Sequence, residues 1–266
     1  MAHTLAAALN LGTPPGDEAQ LWEIRFSAEL GSIPHLSRQE QRVGFGGFKA
    51  EDLNKSPVFG RGRLHLGLPL ATELEFSWTP PFEINGGKPE GIYGMAASGS
   101  LSQSDGWELG WRLFAVRGEA GGDITCSREV SAADPGSQEN PFGCRGASND
   151  RITLDHEGLE LTGSRLIGGG HWRPYLGYSY SRIHPHVQVR ATVFETLDRS
   201  QLEADGNLHT FTLGTLFHLN SSWSMHAALS FTPLEIRRPP RLNGRDQDFW
   251  SLRLGVLWKP GWSILR

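Results

Sequence analysis

The chain has 266 residues, a net charge of −4 and a hydrophobic content of 38%. So mild a charge offers no basic surface of the kind that binds nucleic acid, and a nucleic-acid partner is not expected. No stretch of the sequence approaches the roughly 18 consecutive apolar residues that a membrane-spanning helix requires, which excludes helical membrane spans.

The first readable elements are segments in which apolar and polar residues alternate. In QLWEIRFSAEL the polar positions include Glu23, Arg25 and Glu29, and in RGRLHLGLPL they include Arg63 and His65. Successive side chains on a strand point to opposite faces, so both segments are predicted to be strands.

A predicted hairpin follows. A tight turn at 71–72 joins RGRLHLGLPL to ELEFSW, in which Glu73 and Glu75 share the polar side. Two alternating runs separated by a short turn are typical of a β-hairpin. After GIYGMAASGSL and the turn SQSDG, the segment WELGWRLFAVR alternates again, with Glu108 and Arg112 on its polar side.

The middle of the chain, from about 119 to 156, is irregular. We expect strands near Ile124–Val130 and Ile152–Leu154. The alternation then changes phase at 155–158, which predicts a bulge or a turn at that point.

Two cysteines, Cys126 and Cys144, lie in this polar middle stretch. Their spacing fits neither a zinc site nor a redox CxxC motif. In an oxidising compartment the spacing favours a local disulfide, and in a reducing cytoplasm the same residues would be two free thiols.

Alternating segments fill the rest of the chain. They are GLELTGSRLI, HWRPYLGYSYS, HVQVRATVF, HTFTLGTLFHL, SSWSMHAALSF and FWSLRLGVLW, with Arg173, Arg190 and Arg253 on polar sides. We count about 12 strands of roughly 10 residues and find no useful stretch of helical periodicity.

The apolar faces could turn toward a protein core or toward lipid, and strand and loop lengths favour lipid. The strands are longer than the usual five or six residues of soluble proteins and long enough to cross a bilayer when tilted. Tight turns also alternate with long polar loops, as in membrane barrels with short periplasmic turns. The long loops are predicted at 32–60, 81–90, 196–206 and 237–247.

The tryptophans support the same interpretation. Eight of the nine lie on the apolar side of a strand, and most of these lie near a strand end. A membrane interface favours that position, because the ring is half buried while the indole N–H stays in water. The predicted interface residues are Trp22, Trp78, Trp107, Trp172, Trp223, Trp250 and Trp258.

Over roughly residues 20–260 this pattern resembles that of bacterial outer-membrane β-barrels. The resemblance implies an all-β fold, a transmembrane antiparallel up-and-down barrel in a Gram-negative outer membrane. It also implies contact with outer-membrane lipid and lipopolysaccharide, and with the barrel-assembly machinery during biogenesis. A soluble sandwich or a lipocalin-like barrel is the alternative fold.

Outside the barrel we expect an N-terminal extension at 1–19 and a C-terminal tail at 261–266. The extension has an Ala/Leu run without a basic region, so it is expected to be a signal-peptide remnant or a mature N-terminus after an added Met.

The polar sides of the strands would line the lumen. The predicted lining residues are Glu23, Arg25, Arg63, His65, Glu73, Glu75, Glu108, Arg112, Arg173, Arg190 and Arg253. One hypothesis is a narrow channel whose charged columns orient a small polar solute. The alternative is a lattice of ion pairs that fills the lumen of a structural or adhesion barrel, which would then act through its outer loops.

An enzymatic function is not favoured. The densest candidate for a lipid hydrolase is YSYSRIHPH, with Ser179, Ser181 and His184, but neither GxSxG nor HExxH occurs. We expect no metal and no cofactor. The loop at 32–60 is expected to be a flexible outer loop rather than a constriction of the pore.

Overall fold

The computed structural model describes residues 20–43, 49–238 and 241–261, and at 43, 50 and 234–247 it describes the backbone alone. The predicted N-terminal extension and all but the first residue of the predicted C-terminal tail lie outside the described residues. In the described part of the chain, no helix has the length and apolar composition needed to cross a membrane.

Sixteen strands account for most of the described residues. They are β1 (Ile24–Ser32), β2 (Arg42–Val43), β3 (Lys49–Ala50), β4 (Val58–Leu68), β5 (Thr72–Thr79), β6 (Gly87–Ser104), β7 (Trp107–Gly122), β8 (Asp150–Arg165), β9 (Trp172–Ile183), β10 (His186–Gln188), β11 (Ala191–Val193), β12 (Thr196–Asp198), β13 (Gln201–Glu203), β14 (Gly206–His218), β15 (Trp223–Arg238) and β16 (Arg241–Trp258). The described residues also include one helical turn, α1 (Arg128–Ser131), and a short 3-10 turn (Gly168–Gly170).

Ten of these strands form a closed antiparallel barrel. The ring runs β1, β4, β5, β6, β7, β8, β9, β14, β15 and β16, and β16 pairs again with β1. Closure leaves no open sheet edge around the ring, so its backbone groups pair between strands. The predicted all-β antiparallel barrel is confirmed at this level.

The strand number is confirmed in part. The sheet holds 12 strands, but β10 and β13 lie outside the ring of ten. The strand expected near Ile124–Val130 is a loop that leads into α1, and the segment HVQVRATVF is divided between β10 and β11. The segment HVQVRATVF alternates as predicted, but its two short strands pair outside the ring, β10 with β8 and β13, and β11 with β12.

The bulge or turn expected at 155–158 does not form. β8 is one strand, and it pairs with β7 without a shift of register. Ile152 and Leu154 face inward on the same parity as Glu160. The apolar residues change sides because the barrel interior changes from apolar to charged along the strand, not because the strand is interrupted.

The two ends of the barrel differ. One end, the turn end, carries the short connections at 69–71, 105–106, 166–171 and 219–222. The other end, the loop end, carries the connections 33–57, 80–86, 123–149 and 184–205 and the tip of the β15–β16 hairpin. Asp105 and Gly106 both have positive φ, as a two-residue hairpin turn requires.

The barrel is polar inside and apolar outside. Outward residues such as Leu30, Leu213 and Leu254 are more than half exposed, whereas the inward Glu29 and Arg253 are almost fully buried. A soluble barrel buries its apolar side chains, so this arrangement is inverted relative to a water-soluble protein.

Candidate functional site

Glu29 lies at the centre of the barrel interior and is shared by three arginines. Its Oε1 accepts a hydrogen bond from Arg61 Nε at 2.7 Å, and both carboxylate oxygens lie 3.0 Å from one terminal nitrogen of Arg63. Arg253 Nη1 lies 3.3 Å from Oε2, and His226 Nε2 lies 3.9 Å from the same oxygen. The carboxylate therefore joins β1, β4, β15 and β16.

A second carboxylate, Glu75 on β5, extends this network around the inside of the barrel wall. Arg63 Nε lies 3.5 Å from Glu75 Oε1, which also accepts a hydrogen bond from Arg112 at 3.0 Å. The other terminal nitrogen of Arg112 lies 3.5 Å from Glu160. The ion pairs thus run without interruption from β16 to β8.

Glu73 organises a third group of contacts. It forms an ion pair with Arg25, and its Oε1 lies 2.8 Å from His65 Nδ1. The other ring nitrogen of His65 lies 2.9 Å from Ser27 Oγ. The imidazole therefore links a β5 carboxylate to a β1 hydroxyl.

One further pair, Glu108 with Arg173, lies near the turn end. Together these side chains form what we call the ionic lattice, six arginines and five glutamates: Arg25, Glu29, Arg61, Arg63, Glu73, Glu75, Glu108, Arg112, Glu160, Arg173 and Arg253. An unpaired charge in such a place costs several kcal/mol, so the near balance of signs is what makes a filled interior stable.

Nearer the loop end the interior is apolar. Phe59, Phe114 and Ile152 belong to one buried cluster. Leu36 packs with Ile183, Leu208 and Phe249 in a second cluster, and Leu53 contacts both clusters. Leu36 and Leu53 come from the loop between β1 and β4, so that loop closes the barrel mouth.

We call the described parts of this loop, residues 33–43 and 49–57, the mouth loop. The sequence favours a flexible outer loop here, and the described parts differ from that expectation because they bury Leu36 and Lys55. Lys55 Nζ lies 2.7 Å from Asp52 and 2.9 Å from Asp123, which begins the long loop after β7. Two loops are thereby clamped together.

The clamp shifts the pKa values of its charged groups. Burial alone lowers the pKa of Lys55, but hydrogen bonds to Asp52 and Asp123 outweigh it and leave that pKa raised. Burial alone raises the pKa of Asp123, but hydrogen bonds from Lys55 and from the Arg128 backbone N–H leave it lowered. Both shifts favour the charged pair.

This pair predicts a pH dependence of the mouth loop. Because folding lowers the pKa of Asp123, its carboxylate stabilises the fold at pH values above the usual carboxyl pKa. That contribution is lost as the pH falls through the lowered pKa. Because folding raises the pKa of Lys55, its ammonium group stabilises the fold at pH values below the usual lysine pKa. That contribution is lost as the pH rises through the raised pKa. We therefore expect the clamp to hold at neutral pH and to weaken in acid.

The substitution Asp123→Asn imitates the acid state at neutral pH. It is expected to destabilise the mouth loop by about 2 kcal/mol, the usual cost of losing a hydrogen bond to a buried charge. Hydrogen exchange of residues 49–57 would report this. Asp52→Asn is the control with a smaller expected effect, because Asp52 is half exposed. Equal exchange in Asp123→Asn and the wild type would contradict the clamp.

Beyond the loop end, residues 123–149 and 186–203 form a folded unit that we call the cap. The predicted disulfide is present between Cys126 and Cys144. Asp150 at the start of β8 accepts hydrogen bonds from the backbone of Thr125 at 2.6 Å and of Arg190 at 2.8 Å. The cap is thus held to the ring by a carboxylate as well as by the chain.

The structure brings most of the predicted lining residues together. Those inside the barrel are Arg25, Arg63, His65, Glu73, Glu75, Glu108, Arg112, Arg173 and Arg253. Arg61 and Glu160 belong to the lattice and were not predicted. Arg61 shares the parity of Arg63, and Glu160 alternates with two leucines, so a stricter use of parity would have found both.

Two predicted lining residues lie elsewhere. Glu23 precedes β1, and its carboxylate accepts a hydrogen bond from the backbone of Gln20 at the turn end. Arg190 is exposed in the cap, so its assignment to the lumen is wrong. The cause is the segment HVQVRATVF, which alternates like a ring strand but leaves the ring after Ile183.

The hydrolase candidates do not share one environment. Ser179 and Ser181 face the buried interior, whereas His184 is exposed at the loop end and lies 2.7 Å from Asp205. A nucleophile and its base must lie within hydrogen-bonding reach of each other. In the described residues no group of three or more His, Cys, Asp and Glu side chains is arranged to hold a metal.

The predicted interface tryptophans lie at both ends of the apolar outer face. Trp223 and Trp258 stack at the turn end with ring centroids 5.9 Å apart, and Trp107 and Trp172 are exposed at that end. Trp78 and Trp250 are exposed toward the loop end. Trp22 precedes β1 and is half-buried. Contact of these rings with a membrane interface stays a prediction.

No protein-family model matches the sequence, and no curated protein matches it. Solved structures that resemble the fold are bacterial outer-membrane proteins. The outer membrane protease OmpT from Escherichia coli has a TM-score of 0.45 at 8% identity, covering 89% of this chain and 93% of that one. The translocator domain of the autotransporter NalP from Neisseria meningitidis has a TM-score of 0.42 at 11% identity, covering 91% and 90%.

The N-terminal β-barrel domain of OprF from Pseudomonas aeruginosa has a TM-score of 0.31 at 11% identity, covering 87% of this chain and 96% of that one. At such identities and TM-scores the likeness transfers no activity to this chain. The fold therefore rests on the pairing of its own strands.

Proposed function

We propose that this protein is a bacterial outer-membrane β-barrel whose lumen is closed and whose activity lies in the cap and the loops around it. One observation carries the proposal: two groups of buried side chains fill the interior, the ionic lattice from the turn end up to the level of Glu29 and the apolar clusters under the mouth loop. This is the structural or adhesion hypothesis of the sequence analysis, now favoured over the narrow channel.

The inverted distribution of side chains supports the membrane location. A band of exposed apolar residues surrounds the ring, and aromatic pairs such as Phe231–Trp250 and Trp223–Trp258 lie near its two limits. Water makes so large an apolar surface unfavourable, whereas lipid accommodates it. With the short turns in the periplasm, the loop end faces the outside, and outer-membrane lipid and lipopolysaccharide surround the band.

The lattice supports the closed state. The ion pairs run from Arg253 on β16 through Glu29 on β1 to Glu160 on β8, and β8 lies opposite β1 in the ring of ten. A polar solute would have to separate these pairs, and removing one partner of a buried pair costs about 3–5 kcal/mol. It would then meet the apolar cluster around Leu36, which offers it no hydrogen bonds.

The cap supports a binding role. Its disulfide, its short strand pairs and the Asp150 hydrogen bonds make it a built surface rather than a set of solvated loops. A rigid surface binds with less loss of conformational entropy than a flexible one. We therefore place recognition of extracellular partners on the cap, and contact with the barrel-assembly machinery at the stage of insertion.

Single-channel recording in a planar bilayer tests the proposal. We expect inserted wild-type protein to remain silent because the lattice and the mouth loop block the same path. A variant in which alanine replaces three members of the ionic lattice and Leu36 of the apolar cluster is expected to conduct. The three lattice residues replaced are Glu29, Arg61 and Arg253. Discrete current steps from the wild type, with a polar solute competing for passage, would contradict the closed lumen and restore the narrow-channel hypothesis.

A hydrolase function has its own test. Incubation of the wild type with outer-membrane phospholipid or lipid A is expected to release no fatty acid, because Ser181 is buried in the interior. Release of fatty acid that disappears in Ser181→Ala would contradict this.

A further inference from the structure

The wall of the barrel is lower on one side of the loop end than on the others. β1 and β4 end their pairing at Ser32 with Val58, and β5 ends at Thr79. The neighbouring β6 extends to Gly87 in partnership with β7, and β16 extends to Arg241 in partnership with β15. The rim therefore has a notch over β1, β4 and β5.

A cleft of about 760 Å³ occupies this notch and continues down the outer wall. Its lower part is a trough on the outward face, where Val256, Ala28, Gly62 and Trp78 lie in register on four neighbouring strands. A Cβ atom at Gly62 would meet nothing within 4 Å, so the trough is open at its floor. Val256 and Trp78 form its two sides.

The upper end of the cleft is polar. Lys88 and His35 are exposed there, and Asn54 Nδ2 lies 3.1 Å from His35 Nε2. Lys55, which also borders the cleft, is engaged by its two aspartates. The lower part of the cleft, next to the apolar outer band of the barrel, is therefore apolar. The upper part carries the exposed Lys88.

We propose that this cleft binds one molecule of lipopolysaccharide, with an acyl chain in the trough at Gly62 and a phosphate beside Lys88. The trough is continuous with the lipid-facing band, so its occupant enters from the membrane rather than from water. An acyl chain is buried there against apolar atoms. Lys88 at the level above supplies the charge that a lipid phosphate requires. The inference rests on the membrane location and is independent of the closed lumen.

The substitution Gly62→Phe tests the trough by filling it. The matched control is Gly163→Phe, because Gly163 is also an outward ring glycine with nothing within 4 Å of an added Cβ, and it does not border the cleft. Refolded protein is titrated with deep-rough lipopolysaccharide in detergent and observed by native mass spectrometry. We expect one bound molecule, affinity lowered about tenfold by Gly62→Phe, and affinity unchanged in the control.

Further measurements test whether the bound molecule is an anionic lipid. Lys88→Glu, which leaves the trough intact, is expected to weaken binding of lipopolysaccharide while leaving binding of a neutral detergent unchanged. Equal affinity in the wild type, Gly62→Phe and Gly163→Phe would overturn the site. Tighter retention of phosphatidylethanolamine than of lipopolysaccharide, or no effect of Lys88→Glu, would overturn the anionic occupant. Heat-modifiable migration on gels confirms that each variant is folded, and current recordings test the lumen separately.

Discussion

Replacing Glu29 by glutamine is expected to lower the free energy of unfolding by about 3–5 kcal/mol, since it removes one side of a buried ion-pair network. The amide keeps the volume of the carboxylate but leaves Arg61, Arg63 and Arg253 without the charge that they share. Three guanidinium groups would then repel each other in a buried interior. Urea unfolding in lipid vesicles, followed by heat-modifiable migration, measures the loss.

The control for this prediction is Glu157→Gln. Glu157 is exposed on the outward face of β8, so its loss is expected to cost less than about 0.5 kcal/mol. Combining Glu29→Gln with Arg253→Met should cost less than the sum of the two single changes, because the partners interact. A loss below about 1 kcal/mol for Glu29→Gln alone would contradict the central role of this carboxylate.

Removing the disulfide is expected to destabilise the cap and to leave the ring intact. Cys126 and Cys144 are 18 residues apart, and a crosslink over a loop of that size contributes about 3 kcal/mol. The double substitution to serine should therefore increase hydrogen exchange within 123–149, while exchange in the ring strands stays unchanged. The ring has its own closed pairing and does not depend on the crosslink.

Arg145→Gln is the matched control within the cap. Arg145 lies 3.4 Å from Glu195, but both side chains are exposed, and such pairs contribute little to stability. Its exchange pattern should match that of the wild type. If loss of the disulfide unfolded the ring together with the cap, the two would form one cooperative unit, contrary to this expectation.

The face of a strand on which each residue lies depends only on its position along that strand, so it could be predicted from the sequence. The alternation in QLWEIRFSAEL and RGRLHLGLPL places Arg25 and Arg63 on the inner face, where the structure has them. Side chains of alternate residues must point to opposite faces, whatever the strand pairs with.

Parity does not show whether a strand belongs to the ring. The segment HVQVRATVF alternates as well as any other, yet Arg190 lies in the cap because the chain leaves the ring after Ile183. Likewise the change of phase before Gly158 predicts a bulge, whereas β8 continues and its surroundings change. The alternation of residue types shows what each face of a strand contacts. The inward face of β8 contacts the apolar interior near the loop end and the charged interior further along the strand.

The sequence by itself predicted the outward apolar face, the disulfide and the polar interior, because each prediction depends on residue type and short spacing. Only the tertiary structure decided what Arg253 faces: its partner is Glu29, 224 residues away in the chain. Closure of the ring pairs the last strand with the first, and Gly31 lies opposite Arg253. Buried charges must find opposite charges nearby, and closure alone makes these two residues neighbours.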